Sequence, residues 1–385
     1  MRILVRGPLL SESGYGNHAR QVFRWLLKKH SDHDITTQCL PWGTTSWYVN
    51  TDAEGGLIGE ITKRSKSVEG QYDISFQIQL PNEWDPTLAK HNVGITALVE
   101  ADKCNPVWVQ ACKRMNTVIV PSTFCQKTLE NTGFNQDNLH VIPESFMPEV
   151  LKNVQGSNLK FSTNFNFLML GTMTGNNPHN DRKNILFGLK WLCEEFKNDP
   201  EVGIVIKTNV GRGTRMDWQG VENMFKGVLN EVRKGPYPKV HLIHGMMSSE
   251  EIVAMYNHSD IKALVAPTRG EGLGIVYLEA SACGLPVIST NHSGHLDFMD
   301  LGRSIKLDYD MIEIHETRAD PHIWMKGTKW AHVKESDFKS KIKKFRNNHS
   351  IPEKWAIDLS KKLITTHSPD AIDEIYEQKL CHLLH

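Results

Sequence analysis

The stretch Pro267-Thr268-Arg269-Gly270-Glu271-Gly272-Leu273-Gly274-Ile275-Val276-Tyr277-Leu278-Glu279-Ala280-Ser281-Ala282-Cys283-Gly284-Leu285-Pro286-Val287 decides how this chain folds. It follows an apolar run ending Ala263-Leu264-Val265-Ala266, a pattern that predicts a buried strand. Gly270, Gly272 and Gly274 make a turn whose backbone amides can come close to a ligand. Leu273 to Cys283 favour a helix, Gly284 stands at its C-terminal cap, and Leu285 to Thr290 predict the next strand. The unit carries one carboxylate in its loop, Glu271, and another two turns into its helix, Glu279. A helix start has amides without acceptors and a partial positive charge, which suits a phosphate. Glu271 is then placed to accept hydrogen bonds from hydroxyls beside that phosphate. Glu279 reaches a second polyol, such as a ribose.

Outward from this stretch the second half of the chain keeps alternating. Strands are predicted at Phe165 to Leu170, Val202 to Lys207, Val240 to Ile243, Ile261 to Ala266 and Pro286 to Thr290. Helices fall between them, including Asn184 to Phe196 and Glu250 to Tyr256. The first half repeats the arrangement. Strands are predicted at Ile3 to Val5, Ile74 to Ile78, Val93 to Leu98 and Thr117 to Val120. A helix with apolar Val22, Phe23, Leu26 and Leu27 runs from Ala19 to Lys29, and a capped helix follows Pro121-Ser122. Val141-Ile142-Pro143 close this half. Leu151 to Thr163, with Asn153, Gln155, Gly156 and Ser157, read as a polar linker. Strand–helix alternation predicts parallel sheets covered by helices on both faces, and two such sheets make the cleft between them the expected site. The tail from about Pro352 is helical in pattern and returns toward the first domain.

Two glutamates eight positions apart, glycines between them, then Glu-Ala and Gly-x-Pro-Val before a strand form a specific combination. In these residues the chain resembles the retaining glycosyltransferases of the two-domain GT-B type, family 4-like, also called glycosyl transferases group 1. The resemblance implies an α/β chain of two Rossmann-like, doubly wound parallel-sheet domains facing across a cleft. Residues 1–155 would form the acceptor-side domain, residues 160–364 the nucleotide-sugar domain, and a helix at about 365–385 would pack back on the first. The implied activity is transfer of a hexose or pentose from a UDP- or GDP-linked donor to an acceptor hydroxyl of a glycan, lipid or small molecule.

Further residues extend the resemblance. Ser13-Gly14-Tyr15-Gly16-Asn17 follows the first strand, as a Gly-rich loop for the donor's phosphates and sugar; a plain tight turn is the other interpretation. Asp181-Arg182-Lys183-Asn184 precedes a helix, and Lys207 ends a strand. Cations on a diphosphate stabilise the charge it gains as the glycosidic bond breaks. Lys183 and Arg182 resemble the family's diphosphate pair, although many relatives carry the arginine where this chain has Thr172. With Glu271 they form the implied catalytic set. Lys207, Met246 in His244-Gly245-Met246-Met247-Ser248, Gly272, Leu273, Gly274 and Glu279 join Gly14, Tyr15 and Gly16 as implied nucleotide-sugar ligands. Glu100 and Asp102, in Leu98-Val99-Glu100-Ala101-Asp102, fit either the acceptor side or a helix cap; the histidine many relatives have here is absent, His91 lying upstream. Glu271 is expected in an exposed loop, so that its loss costs turnover far more than folding.

Composition narrows the class. Lys+Arg and Asp+Glu each total 44, so no net field draws the chain to nucleic acid or anionic membrane. Peripheral membrane contact stays open, while no apolar run approaches the roughly 20 residues of a membrane span. Seven dispersed cysteines without a CxxC pair fit free thiols in a reducing cytoplasm. The 18 histidines form no ligand pattern, and no cofactor beyond the donor is implied. Two rival functions stand beside sugar transfer. One is a bacteriophage-type transferase acting on DNA bases; the other is a non-catalytic nucleotide-sugar-binding protein. Asp308-Tyr309-Asp310 and Asp32-His33-Asp34 spell the Asp-x-Asp of manganese-dependent transferases but lie outside the predicted site loops. Activity is therefore expected to persist in EDTA. Complete loss on chelation, restored by manganese alone, would make Asp308 and Asp310 metal ligands.

Overall fold

A computed structural model of the chain describes residues 1–152, 154, 158–172, 177–211 and 213–384. The linker residues Asn153, Gln155, Gly156 and Ser157 lie outside the described residues. The first elements are β1 (Arg2–Gly7), α1 (Gly14–Lys29), β2 (Asp34–Cys39), α2 (Leu57–Arg64), β3 (Tyr72–Ile78) and β4 (Ala89–Ile95). Then come α3 (Pro106–Cys112), β5 (Thr117–Val120), α4 (Thr123–Asn131) and β6 (Leu139–Val141). The second series is β7 (Phe165–Leu170), α5 (Ile185–Glu195), β8 (Val202–Thr208), α6 (Arg215–Val232), β9 (Lys239–His244) and α7 (Ser249–Tyr256). It continues through β10 (Ile261–Ala266), α8 (Ile275–Ala282), β11 (Val287–Thr290), α9 (Leu296–Met299) and β12 (Ile305–Leu307). A hairpin of β13 (Tyr309–Glu313) and β14 (Lys329–Val333) follows, then α10 (Glu335–Asn347), α11 (Ser350–Thr366) and α12 (Pro369–Leu380).

The chain divides into two units. One comprises Met1–Ser145, Pro321–Met325 and His367–His385; the other comprises Phe146–Asp320 and Lys326–Thr366. The sequence pattern drew the boundary at 155–160, whereas the first crossing falls at Ser145. Each unit holds a six-stranded sheet, ordered β2-β1-β3-β4-β5-β6 in the first and β12-β11-β10-β7-β8-β9 in the second. All pairings within these two sheets are parallel. Parallel strands are covered on both faces, which is why Ile3, Leu4 and Val5 are all fully buried.

In the first unit α1 lays Val22, Phe23 and Leu26 on Ile3, Val5 and Phe76 of the sheet. The C-terminal α12 packs beside α1, with Tyr376 stacked on Trp25 at 4.9 Å. The Tyr376 hydroxyl shares a 3.1 Å hydrogen bond with buried His18. In the second unit strand alternation separates two cores. Phe165, Phe167 and Met169 of β7 face α5 and α10, while Leu168 faces α7, α8 and α11. No helix among the described residues is long and apolar enough to cross a membrane.

The Gly-rich segment departs from expectation. Gly14, Tyr15 and Gly16 are the first turn of α1 rather than a loop, because the Ser13 hydroxyl accepts the Gly16 amide at 3.1 Å and starts the helix early. The expected strand Val93 to Leu98 ends at Ile95, where Leu98 adopts φ +54°. Strand β2 and the β13–β14 hairpin had no clear periodic signal. Asp308 and Asp310, at the hairpin's start, pair with Lys341 and Lys334.

Gly16 and Gly14 are glycine for different reasons. A Cβ on Gly16 would lie 2.0 Å from the Ser11 carbonyl oxygen, while a Cβ on Gly14 meets nothing within 4 Å. Gly16→Ala is expected to destabilise the protein by at least about 1–3 kcal/mol, and Gly14→Ala to stay within about 0.5 kcal/mol of wild type. Urea-unfolding midpoints of the two variants check this, and equal effects would contradict the packing account.

Candidate active site

In a doubly wound sheet, ligands bind beyond the carboxyl ends of the strands, where the strand order reverses. In the second unit this point lies between β7 and β10, which are neighbours in the sheet. The segment leading from β7 into α5 and the loop from β10 into α8 are therefore brought together. Backbone bonds join them: the Arg269 amide donates to the Arg182 carbonyl at 2.9 Å. The Asn184 side chain donates to the Pro267 carbonyl at 3.0 Å, and Arg182 Nη1 to the Gly270 carbonyl at 2.6 Å. Of the expected loop Gly171 to Asn180, residues 173–176 lie outside the described residues.

Four donors from these segments converge on the Glu271 carboxylate. Lys183 Nζ lies 2.8 Å from Oε1 and 2.9 Å from Oε2. Arg182 Nη1 is 3.2 Å from Oε1, the Thr268 hydroxyl 2.8 Å and the Tyr277 hydroxyl 3.0 Å. The Glu271 backbone is fixed too, its amide donating to Ser293 Oγ at 2.9 Å and its carbonyl accepting from the Gly294 amide at 3.0 Å. Glu271 is only 4% exposed, which corrects the expectation of an exposed loop side chain. Its truncation must cost folding, because it would strip a buried carboxylate from two cations. Burial works to raise the Glu271 carboxyl, but the charges of Lys183 and Arg182, with hydrogen bonds from Lys183 and Thr268, win and hold it well below the usual carboxylate range. Within these contacts of the described residues, two cations face the one carboxylate.

The cluster's surroundings are themselves tied together. Arg269, 1% exposed, donates to the carbonyls of His179 and Pro178 and lies 4.8 Å over the Trp330 ring of β14. It thereby anchors the residues just before Arg182 and Lys183. This arginine and the hairpin behind it were missed by sequence reasoning; an arginine directly before a Gly-rich turn was the available signal. Gly274 caps α8 at φ +87°, a conformation suited to glycine, and leaves Ile275 and Val276 as the first-turn amides.

Other expected residues occupy neighbouring positions of the same edge. Gly272 and Leu273 are buried in the turn. Glu279 lies inside α8, 3% exposed, and accepts from the Tyr256 hydroxyl at 3.4 Å. Lys207, at the end of β8, donates to the Gly245 carbonyl at 2.5 Å. Next to it Met246 is 48% exposed and meets the Asn209 amide at 3.9 Å. In the first unit Tyr15 is engaged internally: its hydroxyl accepts the Ala97 amide at 3.0 Å, bonds Thr96 at 2.9 Å, and its ring stacks on Trp42. Burial, with Glu100 nearby, pushes the Tyr15 phenol up. Glu100 and Asp102 are partly buried in the turn after β4, where the Asp102 carbonyl accepts from Asn131. No cluster of three or more metal-ligating side chains occurs among the described residues.

With this geometry in hand, likeness to known proteins is informative. Residues 220–304, which include Glu271 and Glu279, match the family described as glycosyl transferases group 1. The GDP-mannose-dependent alpha-(1-6)-phosphatidylinositol monomannoside mannosyltransferase of Mycolicibacterium smegmatis is 49% identical over 51 residues, 12% of this chain and 13% of that protein. The D-inositol 3-phosphate glycosyltransferase of Corynebacterium jeikeium is 29% identical over 129 residues, 34% of this chain and 26% of the relative. The chain thus spans well under two thirds of the curated relatives it matches. The solved structure of Anabaena HepE with UDP-glucose superposes with a TM-score of 0.64 at 13% identity, covering 99% of this chain and 100% of that one. Sucrose-phosphate synthase from Thermosynechococcus elongatus gives 0.63 at 14% identity, covering 100% and 99%. The two doubly wound units are those of the GT-B fold.

The buried ion cluster has a pH signature. A carboxyl held below its unfolded value near 4.5 contributes stability that is present above that pH and lost as pH falls through the folded value. Near neutral pH Glu271→Gln should be less stable than wild type by about 2–4 kcal/mol. That gap should narrow as pH drops below about 4.5. Urea titrations of both proteins between neutral pH and the acid limit of folding test this, and a gap independent of pH would refute it.

Proposed function

We propose that this chain, whose residues 220–304 match the group 1 glycosyl transferases and whose two units have the GT-B fold, is an enzyme that moves a sugar from a nucleotide sugar to an acceptor hydroxyl and keeps the anomeric configuration. The observation that carries this is the convergence of Lys183, Arg182 and the start of α8 around Glu271 at the switch point of the second sheet. Two cations beside first-turn amides are chemistry for a diphosphate. As the glycosidic bond breaks, charge builds on the leaving phosphate, and Lys183 and Arg182 stabilise it. Glu271 accepts hydrogen bonds from the sugar's hydroxyls, Glu279 from the ribose. Lys207, Met246 and the turn Gly272–Gly274 complete the nucleotide side. In the first unit, Gly14, Tyr15 and Gly16 serve the donor's sugar, and Glu100 and Asp102 the acceptor.

The chemistry is a front-side substitution at the anomeric carbon. The acceptor oxygen forms its bond on the face that the diphosphate leaves, and a leaving-phosphate oxygen takes the acceptor's proton. No metal ion is needed to neutralise the leaving group, because the two side-chain cations and the helix start carry that role. UDP- and GDP-linked sugars are the donors to try first. HepE is described in complex with UDP-glucose, and the mycobacterial relative is named for GDP-mannose. A reducing cytoplasm goes with seven cysteines that form no disulfide.

The test is release of nucleoside diphosphate from a panel of UDP-, GDP-, ADP- and CMP-sugars, with product configuration read by NMR. Lys183→Ala is expected to lower kcat by at least about 100-fold with the favoured donor. Glu279→Ala should chiefly weaken nucleotide binding, by about 1–3 kcal/mol. Wild-type turnover in the Lys183 variant would remove the assignment. Nucleotide-sugar binding without any turnover would favour a non-catalytic binding protein.

A further inference from the structure

The donors around Glu271 are unevenly shared. Oε1 accepts from Lys183, Thr268 and Tyr277 and lies 3.2 Å from Arg182 Nη1, whereas among the described residues the one hydrogen bond at Oε2 comes from Lys183, at 2.9 Å. A carboxylate offers about four acceptor positions, two on each oxygen, so Oε1 is saturated and Oε2 retains capacity. Tyr277 is the one member of this donor set that belongs to α8. It is 1% exposed, and its ring passes under Lys183 with Nζ 5.4 Å from the ring centre. The ring is itself fixed. It lies edge-on to His295 at 5.5 Å and beneath Gly274, where a Cβ would approach it to 2.8 Å. Burial and the Glu271 charge push the Tyr277 phenol up, so it is a donor near neutral pH.

We propose that Tyr277 is a positioning residue for the transfer reaction: its hydroxyl fills Glu271 Oε1 and its ring seats the Lys183 ammonium, leaving Oε2 to meet a hydroxyl of the donor sugar. One side chain thus sets both the carboxylate facing the sugar and the cation facing the diphosphate. The two groups come from segments 88 residues apart, and Tyr277 ties them to the helix whose start receives the phosphate. A residue that merely filled the core would act through its ring alone. A positioning residue acts through its hydroxyl.

The inference rests on the transfer reaction proposed above, and the test separates the two. Full-length Tyr277→Phe keeps the ring and deletes the hydroxyl. With whichever of UDP-glucose or GDP-mannose the wild type turns over, kcat should fall about 10- to 100-fold while donor KM stays within about twofold. An unchanged kcat, or KM rising in step with a falling kcat, overturns the inference. If the Phe variant does not fold, 4-fluorophenylalanine at position 277 replaces it, filling the hydroxyl's place without donating a hydrogen bond: kcat lowered about 10-fold or more at unchanged donor KM supports the inference, and wild-type kcat overturns it. If the wild type releases diphosphate from neither donor, the transfer assignment fails on its own. Crystal structures of wild type and Tyr277→Phe then decide the positioning role. A Glu271 carboxylate that rotates or releases Lys183 supports it, and one that keeps its place overturns it.

Discussion

The second unit depends on one buried carboxylate. Glu271 would be costly to hold as an anion in a dry interior without partners, and Lys183 and Arg182 would repel one another without it. Together, with hydroxyls from Thr268 and Tyr277, they satisfy each other and hold two loops in one arrangement. In the proposed function, this pairing of two cations with one carboxylate is what would prepare the cluster for an anionic ligand. Under the proposed transfer, a diphosphate arriving there would meet cations already in position, so little reorganisation would be left for the reaction itself.

That arrangement is inherited from sheet topology. Because β10 pairs directly with β7, the segments leaving these two strands emerge side by side, although their residues are far apart in the chain. Arg269 then braces the first segment against Trp330 of the hairpin, so an element outside both sheets helps to hold the site. In the first unit Tyr15 plays a comparable internal part, linking the start of α1 to the turn after β4 through Thr96 and Ala97.

Much of the fold is legible in the sequence because parallel strands are buried on both faces and appear as short, largely apolar runs. Phe165 to Leu170 and Ile261 to Ala266 were delimited to the residue on that ground. Gly284, at φ +78°, ends α8 where a left-handed residue was required. Elements that do not follow the rule were not legible. Strand β2, Asp34-Ile-Thr-Thr-Gln-Cys, has mixed polarity because it lies at a sheet edge, and β13 is mostly exposed. The early start of α1 depended on a serine hydroxyl reaching the Gly16 amide, a contact that Ser-Gly-Tyr-Gly alone does not distinguish from a turn.

The sequence by itself determined the residue types of the candidate site and their local setting. Glu271 sits in a glycine-rich turn after a strand, Glu279 lies two helical turns on, and Arg182-Lys183 stand before a helix. These follow from short-range chemistry, where spacing along the chain equals spacing on an element. Only the tertiary structure decided that Lys183, Arg182 and Glu271 form one buried cluster, and that Tyr277 and Arg269 hold it in place. Those contacts join positions up to about ninety residues apart. No local pattern encodes them, since they exist only once β10 has docked beside β7 and the interior has excluded water from the charges.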